Sequence, residues 1–205
     1  ATAFKAPTFN ELYLPVWWGG NPDLEAERSR SAELGFNYAS GGQFFQAMLF
    51  ATRTEDLIAY VWPSNINIGE ASNRGLELSW HGKLAGMSAR AALTLQNPED
   101  ADTGQALLRR AQRFGSFALS DRIGKLGWRA ELIGAASHPD VHVTTFARTS
   151  VPGYAVLNLS GDYALAPGWK LAGRVVNALD ADYALVHGYA TPGRTFRLEL
   201  AYTPK

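Results

Sequence analysis

The side chains able to do chemistry are few and fall into four groups. His138, Asp140 and His142 are spaced by two, which on an extended segment aims all three the same way, a workable geometry for a metal ion. Pro139 argues against a regular strand there, and the segment falls in an expected long loop, so a solvated loop is the competing reading. Asp100-Ala-Asp102-Thr-Gly104 opens like an acidic calcium loop but lacks the distal Glu, and reads as a solvated turn that at most meets external calcium. Arg109 and Arg110 are adjacent on an expected strand, so one faces inward and the other outward. Arg109 on the inner side can donate to amide or phosphate oxygens of a ligand. The competing reading has both arginines snorkelling or pairing with acidic neighbours. Trp17, Trp18, Tyr60 and Trp62 stand in expected loops, where they can grip a large flat ligand, anchor an interface or pack loops together. No Gly-x-Ser-x-Gly elbow and no glycine-rich phosphate loop is present, so catalysis is not expected.

Composition narrows the partners. The formal net charge is zero, which gives no electrostatic footprint for nucleic acid. The chain has no cysteine, which removes disulfides and thiol chemistry. Its longest apolar run, Leu57 to Trp62, is six residues, far short of a membrane-crossing helix. The opening Ala1-Thr-Ala-Phe-Lys-Ala-Pro has neither the charged nor the apolar part of a signal peptide and reads as the middle of an element of something longer.

The elements that must position these groups are strands. The best helix candidate is Leu24 to Arg30, one or two turns. Alternating segments predict strands at 29–39, 43–54, 66–81, 86–97, 108–120, 126–137, 153–164, 168–178 and 194–203, with residues 1–4 the tail of another. These are about twice the ordinary length of roughly 5–6 residues. Short turns at 40–42, 81–86, 121–125 and 165–168 alternate with long links at 5–28, 55–65, 98–107, 138–152 and 179–193. An antiparallel up-and-down meander would gather the short turns at one rim and the long loops at the other, as transmembrane β-barrels do.

Beside each short turn stands a large aromatic on the apolar parity of its strand: Tyr38, Trp80, Trp128, Tyr163 and Trp169, with Tyr202 at the end. A row of Trp and Tyr at one depth is the signature of a girdle where rings meet lipid headgroups. The opposite parity carries Arg28, Arg30, Glu33, Asn37, Glu77, Arg90, Gln96, Arg129, Glu131, Arg174 and Arg197, expected to line a polar lumen. A propeller fits less well, because each 40-residue interval holds two long strands instead of four short ones and no blade signature.

Several motifs, in order, resemble one family. Lys5-Ala-Pro-Thr-Phe-Asn-Glu-Leu-Tyr13, Gly20-Asn-Pro-Asp-Leu24, Glu27-Arg-Ser, Asn73-Arg-Gly-Leu-Glu77, Asn177-Ala-Leu-Asp-Ala-Asp-Tyr183 and Gly188-Tyr-Ala-Thr-Pro-Gly-Arg194 look like the barrel of TonB-dependent outer-membrane transporters. Leu107-Leu-Arg-Arg-Ala111, with Glu70 and Gly75-Leu-Glu77, is similar to the cobalamin-transporting branch. The resemblance implies a receptor that takes up cobalamin across the outer membrane of a Gram-negative cell, without enzymatic activity. A siderophore or other metal-chelate receptor of the same family would look almost alike, and a passive porin or a barrel enzyme would be the alternatives from other classes. It further implies a barrel of about 22 strands, of which residues 1–205 would be the C-terminal ten. The plug domain and the earlier strands would lie elsewhere. The implied partners are the lipid bilayer, the protein's own plug and N-terminal strands, a TonB-type periplasmic coupling protein and the barrel-assembly machinery. No cofactor is expected within these residues, and calcium only in the parts outside them. The resemblance places Arg109 in the ligand cavity. One departure is the C-terminus, where the family ends on an aromatic residue and Tyr202 is followed by Thr-Pro-Lys.

Overall fold

Alternation becomes pairing in the computed structural model, which describes residues 1–204. Twelve strands follow in order: β1 (Thr2–Lys5), β2 (Glu27–Ser40), β3 (Gln43–Val61), β4 (Ser64–Leu84), β5 (Met87–Asp100), β6 (Arg113–Ile123), β7 (Leu126–Ala135), β8 (His138–Val141), β9 (Arg148–Val151), β10 (Tyr154–Ala166), β11 (Trp169–Val176) and β12 (Thr195–Tyr202). Ten of them form one antiparallel sheet in the order β1-β2-β3-β4-β5-β6-β7-β10-β11-β12, a meander in which β8 and β9 pair only with each other. The edges β1 and β12 do not pair, so the sheet is open.

Turn chemistry sets one rim. Gly41 and Gly42 both take positive φ, as do Ala85 and Gly86, the backbone that a two-residue hairpin with right-handed strand twist requires. Register then fixes the faces. Tyr38 sits opposite Phe45, Phe45 opposite Trp80, and Trp80 opposite Ala91. On the other side Leu157 opposes Leu132, Tyr163 opposes Leu126 and Leu171, and Trp169 opposes Tyr202 with rings 4.7 Å apart. This outer face is apolar and exposed: Leu34, Phe36, Leu49, Leu198 and Leu200 all face outward. Exposed apolar surface this extensive has no place in water and is what a lipid-facing wall presents. The inner face carries Glu77, Arg90, Arg129, Glu131, Arg174 and Arg197, with Arg122 on Asp162 at 2.8 Å and Arg129 on Glu131 at 2.6 Å.

Four expectations need correction. The link 55–65 is no irregular loop: β3 and β4 continue as a ladder to Val61 opposite Ser64, leaving only Trp62 and Pro63 between strands. Its alternation is blurred because the inner face of this arm is covered, so Leu57, Ile58 and Ala59 all sit half-buried. The helix expected at Leu24 to Arg30 is extended chain leading into β2. The helix is instead α1 (Phe9–Tyr13), opened by a capping box in which Thr8 and Glu11 exchange side-chain bonds with each other's backbone. The strand expected at 108–120 begins only at Arg113. Finally, Arg28 and Arg30 do not line the lumen: Arg30 opposes Arg53 and Arg28 opposes Glu55, in register with Leu34, Phe36 and Tyr38 on the outer face.

Candidate functional site

The long connections meet at the rim opposite the short turns and build a mouth in two parts. The first is the segment 6–26, laid on the inner face of the β3–β4 arm. Asn65 donates its backbone N–H and its Nδ2 to the Gly19 carbonyl at 2.9 and 2.6 Å, while Asn21 Nδ2 donates to the Asn65 carbonyl at 2.9 Å. Asn67 Nδ2 reaches the Glu25 carbonyl at 3.0 Å, and Glu25 N–H returns to Asn67 Oδ1 at 2.8 Å. Gly19 adopts φ +93 with the Tyr60 ring so close that a Cβ would come within 2.7 Å of it. Paired asparagine amides thus do for this loop what a ladder does for a strand.

This seating leaves aromatics exposed. Trp17 is 71% exposed, Trp18 68%, Tyr60 47% and Trp62 56%. Phe9 and Tyr13, one helical turn apart with ring centroids 5.0 Å apart, extend the same loop's aromatic surface. Those two were missed as site residues in the sequence. The Thr8-Phe-Asn-Glu11 capping box, which fixes them at i and i+4, was the available signal.

The second part is a clasp around Asp140, which is 0% exposed. Its Oδ1 accepts from Arg109 Nε at 2.9 Å and from Val141 N–H at 2.8 Å, and its Oδ2 accepts from His187 N–H at 2.8 Å. Burial pushes this carboxyl upward, but the backbone N–H of His187, the Arg109 guanidinium and the Val141 N–H outweigh it and hold the group below the usual carboxylate range. One side chain therefore joins three separate links: 101–112, the β8–β9 hairpin and 177–194. Around it, Arg109 N–H donates to the Pro139 carbonyl at 2.7 Å, His138 Nε2 lies 3.2 Å from the Leu185 carbonyl, and Arg148 Nη2 donates to the Ala106 carbonyl at 2.5 Å. Trp62 at the tip of the arm stacks on Phe146 at 4.7 Å and 15°, so the arm and the clasp touch.

The expected site residues are thereby placed. Arg109 lies in the link before β6 at φ +58, so the strand argument that divided it from Arg110 does not apply. Its Nε is committed to Asp140, its side chain stays about half exposed, and its terminal nitrogens make no hydrogen bond among the described residues. His138, Asp140 and His142 do not assemble around a common point: no group of three His, Cys, Asp or Glu able to hold a metal ion occurs among the described residues. His142 instead accepts from the N–H groups of Thr144 and Thr145 and packs on the His187 ring. Pro139 does lie in a strand, opposite Ser150 in the short β8–β9 pair, where one edge has no ladder to lose. Asp100 accepts from the N–H groups of Asp102 and Thr103, a self-contained turn in which the Thr103 N–H is the main cause holding its carboxyl low.

The last link is built on Asn177. This residue is buried at φ +54, bonds both ways with Ala181 through its amide, and stops β11 with a local turn. Asp180 then accepts from Arg194 N–H at 2.7 Å, closing the loop just before β12.

With an open ten-strand wall, one apolar face, one charged face and a looped rim in place, the class follows. A family model described as TonB dependent receptor-like, beta-barrel, matches residues 1–178, and the chain belongs to that family. Among curated proteins it is 30% identical over 186 residues to the vitamin B12 transporter BtuB of Vibrio vulnificus (strain YJ016), covering 86% of this chain and 28% of that protein. Among solved structures it is similar to the copper transporter OprC, with TM-score 0.79 and 21% identity over 98% of this chain and 35% of that one. It is similar also to the pyoverdine outer membrane receptor FpvA of Pseudomonas aeruginosa PAO1, with TM-score 0.73 and 18% identity over 93% of this chain and 32% of that one. The chain thus spans about a third or less of the length of these proteins, which are transporters and receptors rather than enzymes.

Proposed function

We propose that these strands are the C-terminal ten of a larger plugged barrel in the outer membrane of a Gram-negative cell, and that the whole protein takes up cobalamin. The observation that carries the ligand is the 30% identity to a vitamin B12 transporter across 86% of the chain. The exposed rings of Trp17, Trp18 and Tyr60 at the mouth are suited to the flat apolar face of a corrin. The free terminal nitrogens of Arg109 are suited to its peripheral amides or its phosphate. Capture at the mouth would be followed by release past a plug pulled by a TonB-type coupling protein. The inner wall, charged and concave around a cavity of about 750 Å³ near the short-turn rim, would hold that plug.

A ferric siderophore or other metal chelate is the second reading. The structural neighbours that transport copper or bind pyoverdine are related at identities that carry the fold alone, so the two readings separate only by measurement. In the full-length protein, equilibrium binding should favour cobalamin over ferric siderophores. Trp17→Ala with Trp18→Ala should weaken cobalamin by about tenfold, the value of one good aromatic contact. Arg109→Ala should weaken it more than Asp140→Ala does if Arg109 touches ligand and does more than hold the clasp. Tighter binding of a siderophore than of cobalamin would overturn the assignment.

A further inference from the structure

One row on the inner face holds only cations and hydroxyls. Followed across the ladders, it runs from Lys83 on β4 through Ser88 on β5, Ser120 on β6, Arg129 on β7 and Ser160 on β10 to Arg174 on β11 and Arg197 on β12. Seven strands about 4.8 Å apart stretch it over an arc of roughly 29 Å near the short-turn rim.

The charges in this row are short of partners. Arg129 is taken by Glu131 at 2.6 Å, and Lys83 Nζ donates to Ser88 Oγ at 3.0 Å. Among the described residues Lys83, Arg174 and Arg197 have no carboxylate within ion-pair distance. Arg174 and Arg197 stand directly opposite each other, an arrangement in which like charges repel and which an anion between them relieves. Asp162, two positions nearer the short turns than Ser160, is held by Arg122 at 2.8 Å, and Glu199 faces Ala172 across the ladder. The cavity of about 750 Å³ along this wall is lined by six Lys or Arg side chains against three carboxylates.

We propose that Arg174 and Arg197, assisted by Ser160, form an oxyanion site on the inner wall that holds the phosphodiester of the transported corrinoid on its way from the mouth to the short-turn rim. Two planar guanidinium groups and a hydroxyl are matched to phosphate oxygens. Ser120, in the same row, lies seven residues below Arg113, where β6 begins. At about 2.4 Å of rise per residue in a strand tilted by about 45°, that is roughly 17 Å, so one phosphate cannot meet Arg109 at the mouth and this row together. The two are successive stations for the same group. The inference rests on the cobalamin reading. A carboxylate on the protein's own plug offers the same oxyanion chemistry, and the test tells the two sources apart.

The test measures surface binding and uptake separately in cells producing the full-length protein, with cobalamin and with a corrinoid that lacks the phosphodiester and nucleotide base. Arg174→Gln with Arg197→Gln should leave surface binding of both compounds unchanged. Uptake of cobalamin per bound molecule should slow about tenfold, the value of one charge-assisted hydrogen bond, while the truncated corrinoid enters at the wild-type rate. Arg174→Lys with Arg197→Lys, which keeps the charge but not the planar fork, should recover part of that loss. Cobalamin uptake that is not slowed in the Gln variant would overturn the proposal. Equal slowing of both compounds would overturn it too, because that is what loss of a contact to a plug carboxylate produces. A wild-type protein that does not bind cobalamin sinks the cobalamin reading and this inference with it, whereas intact binding without phosphate-dependent slowing sinks this inference alone.

Discussion

The two rims of this sheet are made by different physics. At the short-turn rim, two-residue connections such as Gly41-Gly42 and Ala85-Gly86 leave almost no freedom, and each strand's faces follow from local alternation. At the mouth, the connections 6–26, 101–112, 136–153 and 177–194 are held by contacts between residues far apart in sequence. Arg109 meets Asp140 across 31 positions and His187 meets it across 47. One rim is a product of neighbours in the chain, the other of neighbours in space. If the mouth is a set of clasps laid on the wall, the wall should tolerate loss of a loop contact.

The largest effect that would test this division is on the wall. Leu198→Arg places a charge near mid-depth on the lipid-facing parity of β12, about 10 Å above Tyr202, at a cost of about 2–4 kcal/mol. Folded-barrel yield, read by heat-modifiable gel migration, should collapse; a normal yield would remove the lipid assignment of this face. A smaller, local effect should follow at the mouth. Asp140→Ala orphans the N–H groups of His187 and Val141, a loss of about 2 kcal/mol, to which the half-exposed Arg109 adds little. Amide exchange in β8, β9 and 185–188 should then accelerate by about thirtyfold while β2 to β4 stay protected. Uniform acceleration would show that wall and mouth unfold as one unit.

The smallest effect is on pH. Asp140 has its carboxyl held below the usual range in the folded protein, so the clasp's stabilisation is complete above the ordinary carboxylate pKa of about 3.9. It is lost only as pH falls further, through the folded value. Exchange in the clasp, corrected for intrinsic rates, should stay flat from neutral pH to about 4 and rise below it, with Asp140→Asn removing the dependence. A rise already at pH 6 would remove the Asp140 carboxyl as its source.

The same division explains what could be read from the sequence. The wall was legible because one side of each strand meets apolar surroundings and the other meets polar ones, so parity survives in the residue types of β5, β7 and β12. It failed where that contrast fades. In the β3–β4 arm, loop 6–26 covers the inner side and Leu57 to Val61 no longer alternate. At Arg28 and Arg30 a polar residue stands on the outer face because the strand has reached the end of the apolar band, and residue type alone does not report height. At the site, Trp17, Trp18, Tyr60 and Trp62 were legible as aromatics without a core. The tie between Arg109 and Asp140 was not, since nothing in their separate surroundings announces the pairing.

The β3–β4 ladder, which runs from Phe44 opposite His81 to Val61 opposite Ser64 around a two-residue turn, also bears on how the protein is made. All of its contacts close one short loop, so it can zip from Trp62 downward without waiting for distant chain to arrive. Once formed, it presents two long free edges in fixed register, one for β2 and one for β5. The arm is then a template for assembly: a one-residue slip within it would send every neighbouring side chain to the wrong face before the rest of the wall had paired.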